Sequence, residues 1–311
     1  MTLQVYLAGF TGATTEDARK DFLRLDILIR ELKSYQEFLG MKNEDKIQEL
    51  LELPRKSMFL DSGAFSAATQ GKTINIDEYM AFIKKWEKYI DIYANLDVAP
   101  YGGLSPEITA KGTADNQKIM EDAGFAPLPV YHVDEDRKIL QGMIEKYDYI
   151  ALGGAVGTSV GAMIQSLDEV WGDWLVDSDG MPKVKVHGFA ITSLPLMLRY
   201  PWFSVDSTTW VLTGRYGAVL VPMNGKTHRI VLSNKSPRVA DKGQHFWTMS
   251  PAEQETLREY FAKYGYTAED LAENYKLRDE LNIIYYTELE KNWVTRPFKT
   301  KRKKFILDFG E

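Results

Sequence analysis

Residues 58–66 read M-F-L-D-S-G-A-F-S. An apolar run of strand length stops at Asp61, and Ser62-Gly63 then supplies the residues of a tight turn. Asp61 therefore sits where a strand opens into a loop. In a parallel α/β protein this is the edge at which ligands and catalytic groups gather. Taken alone, the aspartate is equally suited to cap the next helix, so the rest of the chain decides.

Outward from that stretch, short β-rich runs alternate with helical periodicity. Strands are expected at Leu3–Ala8, Met58–Asp61, Ile90–Leu96, Leu128–His132, Tyr149–Gly153, Val184–Gly188, Trp202–Asp206 and Ala218–Pro222. Helical spacing marks Glu16–Leu39, Lys46–Leu53, Ile76–Lys88, Pro106–Ala123, Glu135–Lys146, Val160–Trp174 and Ser193–Arg199. Such alternation implies parallel pairing through right-handed crossovers, and eight units close into a (β/α)8 TIM-type barrel. An open doubly wound sheet is the alternative. Beyond Pro222, Asn224-Gly225 suits a hairpin turn and Thr227–Ser233 an extended strand. Helices are expected from Ser250-Pro251 to about Lys263, from a Thr267 N-cap, and over Asp279–Lys291. The division expected is a catalytic barrel over residues 1–223 and a small α+β appendage over 224–311, packed on the barrel.

Composition narrows the chemistry. With 44% hydrophobic and 26% charged residues the 311-residue chain has the make-up of an ordinary soluble globular protein. The absence of cysteine excludes disulfides, thiolate nucleophiles and cysteine-ligated metal sites, and fits a cytoplasmic location. Met1–Thr14 has no basic segment ahead of a long apolar run, so no secretory signal is expected there, and no stretch is long and apolar enough to span a membrane. Net charge is −6, yet residues 295–305 carry six of the 38 lysines and arginines and no acid. A local basic patch of this kind (Arg296, Lys299, Lys301, Arg302, Lys303, Lys304) can hold phosphates whatever the overall sign. A solvated tail has the same composition.

The strand ends carry the functional signal. In order, the second to seventh expected strands stop at Asp61, Asp97, His132, Gly153-Gly154, His187-Gly188 and Asp206. In a barrel these all face one mouth. Each has a plainer reading: Asp61 and Asp97 as turn formers, Asp206 as the cap of a short helix, the glycines as a turn, His187 as a core residue. His228 and His245 have no partner visible in sequence. The spacings H-x-x-x-H, G-x-x-x-x-G-K-[ST], G-x-G-x-x-G and G-x-S-x-G are absent, so no metal or cofactor is expected. Carboxylates around a cavity suit glycosyl transfer, in which one attacks an anomeric carbon and another shuttles a proton.

These motifs resemble those of the tRNA-guanine transglycosylase superfamily. F-L-D-S-G-A-F-S (59–66) resembles its D-S-G-G-F-Q signature, and A-L-G-G-A-V-G (151–157) its L-G-G-L-A-V-G loop. F-S-V-D-S-T-T-W (203–210) stands where the family has its F-D-C-V-x-P-T segment with the nucleophilic aspartate, and Asn95-Leu96-Asp97 matches the strand-end aspartate that reads the base. The chain departs from the family at Tyr131-His132, where a glutamine is usual, and at Ala64 and Ser66. Without cysteine it has no zinc subdomain. This shortened form, with H-G-F-A-I-T-S (187–193) and Y-P-W-F-S-V-D-S (200–207), looks most like the phage and bacterial DNA 7-deazaguanine transglycosylases.

The resemblance implies exchange of guanine in DNA, or alternatively tRNA, for a free 7-deazaguanine base. It implies Asp206 as nucleophile and Asp61 as general acid/base. Asp97, Ser62, Gly63, Tyr131, His132, Gly153, Gly154, Ala155 and His187 would bind the base, and Arg215 with the basic run would bind the backbone. Tyr200, Trp202, Phe203 and Trp210 would line the site or pack the core. A carboxylate-dependent glycoside hydrolase and a non-catalytic nucleic-acid-binding barrel are the competing readings.

Overall fold

The structure is a computed structural model that describes residues 2–10, 27–98, 103–154, 159–191, 193–223, 226–236 and 243–299. Eight strands form one sheet: β1 (Gln4–Leu7), β2 (Arg30–Ser34), β3 (Ser57–Asp61), β4 (Ile92–Tyr93), β5 (Val130–His132), β6 (Tyr149–Gly153), β7 (Lys185–Gly188) and β8 (Ser204–Ser207). Their order is β4-β3-β2-β1-β8-β7-β6-β5 and every pairing is parallel. The sheet curls so that its outer strands approach. β4 and β5 meet at a single parallel bridge, Ala94 to Leu128, beside the bonds Leu128 N–H to Tyr93 O (2.8 Å) and Asn95 N–H to Leu128 O (2.9 Å). The ladder is thus (β/α)8-like without being continuous at this seam.

Side-chain alternation along the strands sorts two cores. The concave side packs Tyr6, Ala8, Leu32, Phe59, Ala94, Val130 and Ala151, large residues set against small ones. The convex side of β3 buries Met58 and Leu60 under Tyr79, Ile83 and Trp86 of a covering helix, Ile76–Trp86. That helix starts where Asn75 accepts hydrogen bonds from the N–H groups of Asp77 and Glu78, which satisfies two donors of the first turn. Among the described residues no helix is long and apolar enough to cross a membrane.

Two expectations about strands are corrected. Residues 30–34, read as part of a helix over Glu16–Leu39, form β2. R-E-L-K-S lacks an apolar outer face because that face carries a buried charge cluster. The Glu31 carboxylate lies 3.6 Å from Lys33 Nζ and 3.1 Å from Arg55 Nε, and Lys33 also reaches Glu37 at 3.1 Å. Charges at core positions remove the hydrophobic pattern on which strand reading rests. The second correction is Ala218–Pro222, expected as the eighth barrel strand. β9 (Ala218–Met223) pairs antiparallel with β10 (Lys226–Val231) in a separate hairpin. The strand-end residues keep their order, but Asp61 ends the third strand and Asp206 lies in the eighth.

The hairpin and the C-terminal helices, including α1 (Pro251–Ala262) and α2 (Tyr275–Lys291), share a further apolar core built from Val219, Ile230, Leu257, Phe261 and Ile284. The Ser250–Glu253 capping box starts α1, with Pro251 in its first turn. Helix α2 is fastened near its middle to the hairpin and the helix Thr209–Arg215, and near its C-terminal end to the sheet. Its buried Asn282 accepts from Leu220 N–H and donates to Trp210 O, and Glu290 accepts from Val5 N–H and from Arg30.

Candidate active site

A cavity of about 230 Å³ opens at the C-terminal edge of the curled sheet, lined by Asp61, Asp97, His132, Gly153, Gly154 and Asp206, with Leu32, Phe65, Ser66, Val130, Phe189 and Ala190. Three carboxylates from three separate strand ends thus face one space. Among the described residues no group of three or more His, Cys, Asp or Glu is arranged to hold a metal ion.

Asp61 shapes the turn after β3 and faces the cavity, without capping the helix that follows. Its carboxylate accepts the Gly63 N–H at 3.0 Å, closing the turn into the helix Ala64–Thr69, while it also lines the cavity. The turn requires glycine: Gly63 has φ +77°, and a Cβ there would stand 2.6 Å from Ser34 Oγ. Part of Asp61 touches the cavity, yet protein packs closely enough around it that burial is the main reason its pKa rises to about 7. The Asp97 charge adds to this, the Gly63 N–H opposes it, and the Asp206 charge adds again. An acid poised near neutrality suits proton transfer in both directions.

Asp97 follows β4 on a loop pinned by a neighbouring helix, Pro106–Asp122. Asn95 donates to Thr113 O, Thr113 Oγ1 accepts from Val98 N–H, and Asn116 donates to Leu96 O. Ser62 Oγ donates to one Asp97 oxygen at 3.0 Å, and His132 Nε2 lies 3.1 Å from the other. The second His132 nitrogen, Nδ1, lies 2.8 Å from Glu135 Oε1. Burial alone would lower the His132 pKa. The hydrogen bonds to Asp97 and Glu135 overcome it and push the pKa up to about 10. Gly153 makes room for this ring, since a Cβ there would stand 3.0 Å from His132 Cδ2, and Gly154 turns the chain at φ +85°.

Asp206 does not cap the helix that follows it. That helix, Thr209–Arg215, takes its help from Ser207 Oγ, which accepts from Thr209 N–H. The Asp206 carboxylate instead accepts the Ala190 N–H at 2.8 Å. Ala190 has φ +54°, the one positive φ at a non-glycine among the described residues. A strained backbone is thus held so that one amide points at a carboxylate. Behind Asp206 lies His187, fully buried. Its Nδ1 is 2.7 Å from Ser204 Oγ, which is 2.6 Å from Tyr149 OH. Burial keeps Tyr149 a phenol and lowers the His187 pKa against the pull of Asp206. The other ring nitrogen, Nε2, lies 3.4 Å from Asp206 Oδ1.

Not every expected site residue reaches this cavity. Tyr131 faces away, as alternation along β5 requires when Val130 and His132 face in. Its hydroxyl donates to Glu135 O and accepts from Arg137. Arg215 lines a separate cavity of about 580 Å³ with Gly9, Trp210, Lys235, Lys276 and Asp279. That space is larger, but it lacks converging strand-end carboxylates, and Arg278 on its wall is committed to the carbonyls of Gly214, Leu271 and Ala272. Phe298 is bonded through its N–H to Gly180 O and packs on Tyr200, which sets the described start of the basic run, Arg296 and Lys299, at the N-terminal edge of the sheet. They are not brought to the carboxylates. Tyr200 and Trp202 pack in the core with Trp171, and Trp210 stacks on Phe10. Ala155 and Lys301, Arg302, Lys303 and Lys304 lie outside the described residues.

Glu135, Ala190, Ser204 and Phe189 belong to the site without having been read from the sequence. Glu135 sits in D-E-D (134–136), where nothing distinguishes the middle acid from its neighbours, and an alanine gives no signal of a positive φ.

Asp61 yields a stability prediction. A carboxyl whose folded pKa is raised binds its proton more tightly in the folded than in the unfolded state. Its contribution is therefore full below the unfolded pKa of about 3.9 and is lost as pH rises through about 7. Asp61→Asn, which cannot ionise, is expected to be more stable than the parent at pH 8, by on the order of 1–4 kcal/mol, with the gain shrinking towards pH 4. Urea unfolding at the two pH values measures this, and equal stabilities at pH 8 would show that Asp61 is not a strained acid.

No protein-family model matches the chain, and no curated protein matches it in sequence.

Proposed function

We propose that this protein is a transglycosylase on a (β/α)8 barrel, exchanging guanine in DNA for a 7-deazaguanine base through a covalent enzyme–deoxyribose intermediate. The observation that carries the reading is the convergence of Asp61, Asp97 and Asp206 on one small cavity, each with a different environment. At about 230 Å³ the cavity is below the range of about 300–1,000 Å³ that houses drug-sized ligands, and it suits a flat bicyclic base.

Asp206 attacks C1′ of the target nucleotide while the bond from C1′ to guanine breaks. The electron pair leaves with the base, and protonated Asp61 supplies its proton. Asp61, now a carboxylate, takes the ring N–H proton of the incoming base, whose nitrogen attacks C1′ and releases Asp206. The Ala190 N–H and the His187 ring hold Asp206 in line. Asp97 accepts from the N1–H and exocyclic amine of the base, and Phe65 and Phe189 offer apolar faces for stacking. A base in a duplex must be flipped out to reach this depth, so a single-stranded or distorted target is favoured.

Incubation with radiolabelled guanine tests the reading. Label is expected to enter DNA, and to be chased out by an unlabelled 7-deazaguanine base. Incorporation into tRNA alone would change the substrate, while binding of polynucleotide with no incorporation into either would leave a non-catalytic binding protein. Release of free sugar would indicate a glycoside hydrolase.

A further inference from the structure

We propose that Glu135 is a positioning residue which, through a His132 ring hydrogen-bonded at both nitrogens, fixes Asp97 as the acceptor that selects the base. The geometry leaves little freedom. His132 is 2% exposed and spans two carboxylates, with Nδ1 2.8 Å from Glu135 Oε1 and Nε2 3.1 Å from Asp97 Oδ2. An ionised carboxylate only accepts hydrogen bonds, so a ring between two of them donates from both nitrogens and is an imidazolium.

The main chain builds the bridge. Glu135 N–H bonds back to His132 O at 3.0 Å, folding H-V-D-E into a turn that returns the glutamate to the histidine three residues earlier. Arg137 steadies the outside of this turn by donating to the carbonyls of Val133 and Glu135 and to Tyr131 OH. The charged groups around the ring are thus Asp97 and Glu135 in direct contact, Asp61 and Asp206 across the cavity, and Arg137 behind the turn. The β6 end contributes only Gly153 and Gly154, which carry no charge.

The consequence for specificity rests on the base-exchange reading. With Ser62 Oγ on one Asp97 oxygen and the imidazolium on the other, each oxygen of this cavity-lining carboxylate keeps acceptor capacity for a base edge bearing two donors. A purine with N1–H and an exocyclic amine fits, whereas one presenting a ring acceptor at that position does not. A neutral ring would lose the charge-assisted bond and could turn an acceptor nitrogen towards Asp97, loosening the carboxylate.

The test is a nitrogen NMR titration of the full chain carrying ¹⁵N-labelled histidine, which has four such rings, with His132 assigned through a His132→Gln variant. The expected result is that His132 in the parent protein shows two protonated ring nitrogens at pH 8. In Glu135→Gln, of the same size, the ring is expected to lose its proton at least one pH unit lower. KM for guanine is expected to rise about tenfold in that variant, with kcat changing less than threefold. A neutral His132 at pH 7.5 in the parent overturns the proposal without any variant having to fold, as does a titration unmoved by Glu135→Gln. The expected titration together with no guanine exchange under any condition keeps the positioning role of Glu135 and removes the base-exchange reading.

Discussion

Asp206→Asn is expected to abolish base exchange, lowering the rate by at least about 10⁴-fold. An amide is close to isosteric with the carboxylate and can still accept the Ala190 N–H, so the variant is expected to fold and to bind polynucleotide. What it lacks is the negative charge that attacks C1′; of the other carboxylates lining the cavity, Asp97 is engaged by Ser62 and His132 and Asp61 is the proton donor. His187 is buried behind Asp206 with its Nε2 3.4 Å from Asp206 Oδ1, and burial lowers its pKa. Asp61, with a pKa raised to about 7, is at least half protonated at or below neutral pH and supplies a proton rather than the attacking charge. Label incorporation by Asp206→Asn within tenfold of the parent would remove Asp206 from the role of nucleophile.

The second large effect concerns stability. Glu31→Ala is expected to destabilise the fold by about 3–5 kcal/mol, because it leaves the buried Lys33 and Arg55 without the carboxylate between them. The Glu31 side chain is 0% exposed, and those of Lys33 and Arg55 are 5% and 7% exposed, so water does not compensate for its loss. Lys33 retains Glu37 and the carbonyl of Phe10, and Arg55 retains the carbonyl of Leu50, which keeps the effect from being larger. Urea unfolding measures it. A loss below 1 kcal/mol would mean that this cluster contributes little to holding β2 in the sheet.

The same cluster explains where sequence reading failed. Strands with apolar outer faces, such as Met58–Asp61 and Tyr149–Gly153, were legible because both sides of the sheet are covered and the runs are apolar throughout. β2 buries Glu31 and Lys33 in the corresponding positions, so its pattern resembles an exposed helix. Ala218–Pro222 was legible as a strand, but nothing in its composition reports whether its partner is parallel or antiparallel. Of the candidate site, the strand-end aspartates, His132 and the glycine pair could be read because chemistry concentrates at one edge of a parallel sheet. Glu135 and Ala190 could not, since their roles arise from a turn and from a backbone angle that side-chain identity does not encode. Arg296 and Lys299 show the converse: like charge is plain in sequence, but where these two residues sit relative to the carboxylates is set by where the last helix ends.

The covalent attachment point is tested most directly by trapping the enzyme on a polynucleotide under denaturing conditions and mapping the adduct by tandem mass spectrometry. The predicted result is a single deoxyribose-linked peptide modified at Asp206. A pentose on Asp61, or guanine exchange proceeding with no adduct at any time point, would contradict it.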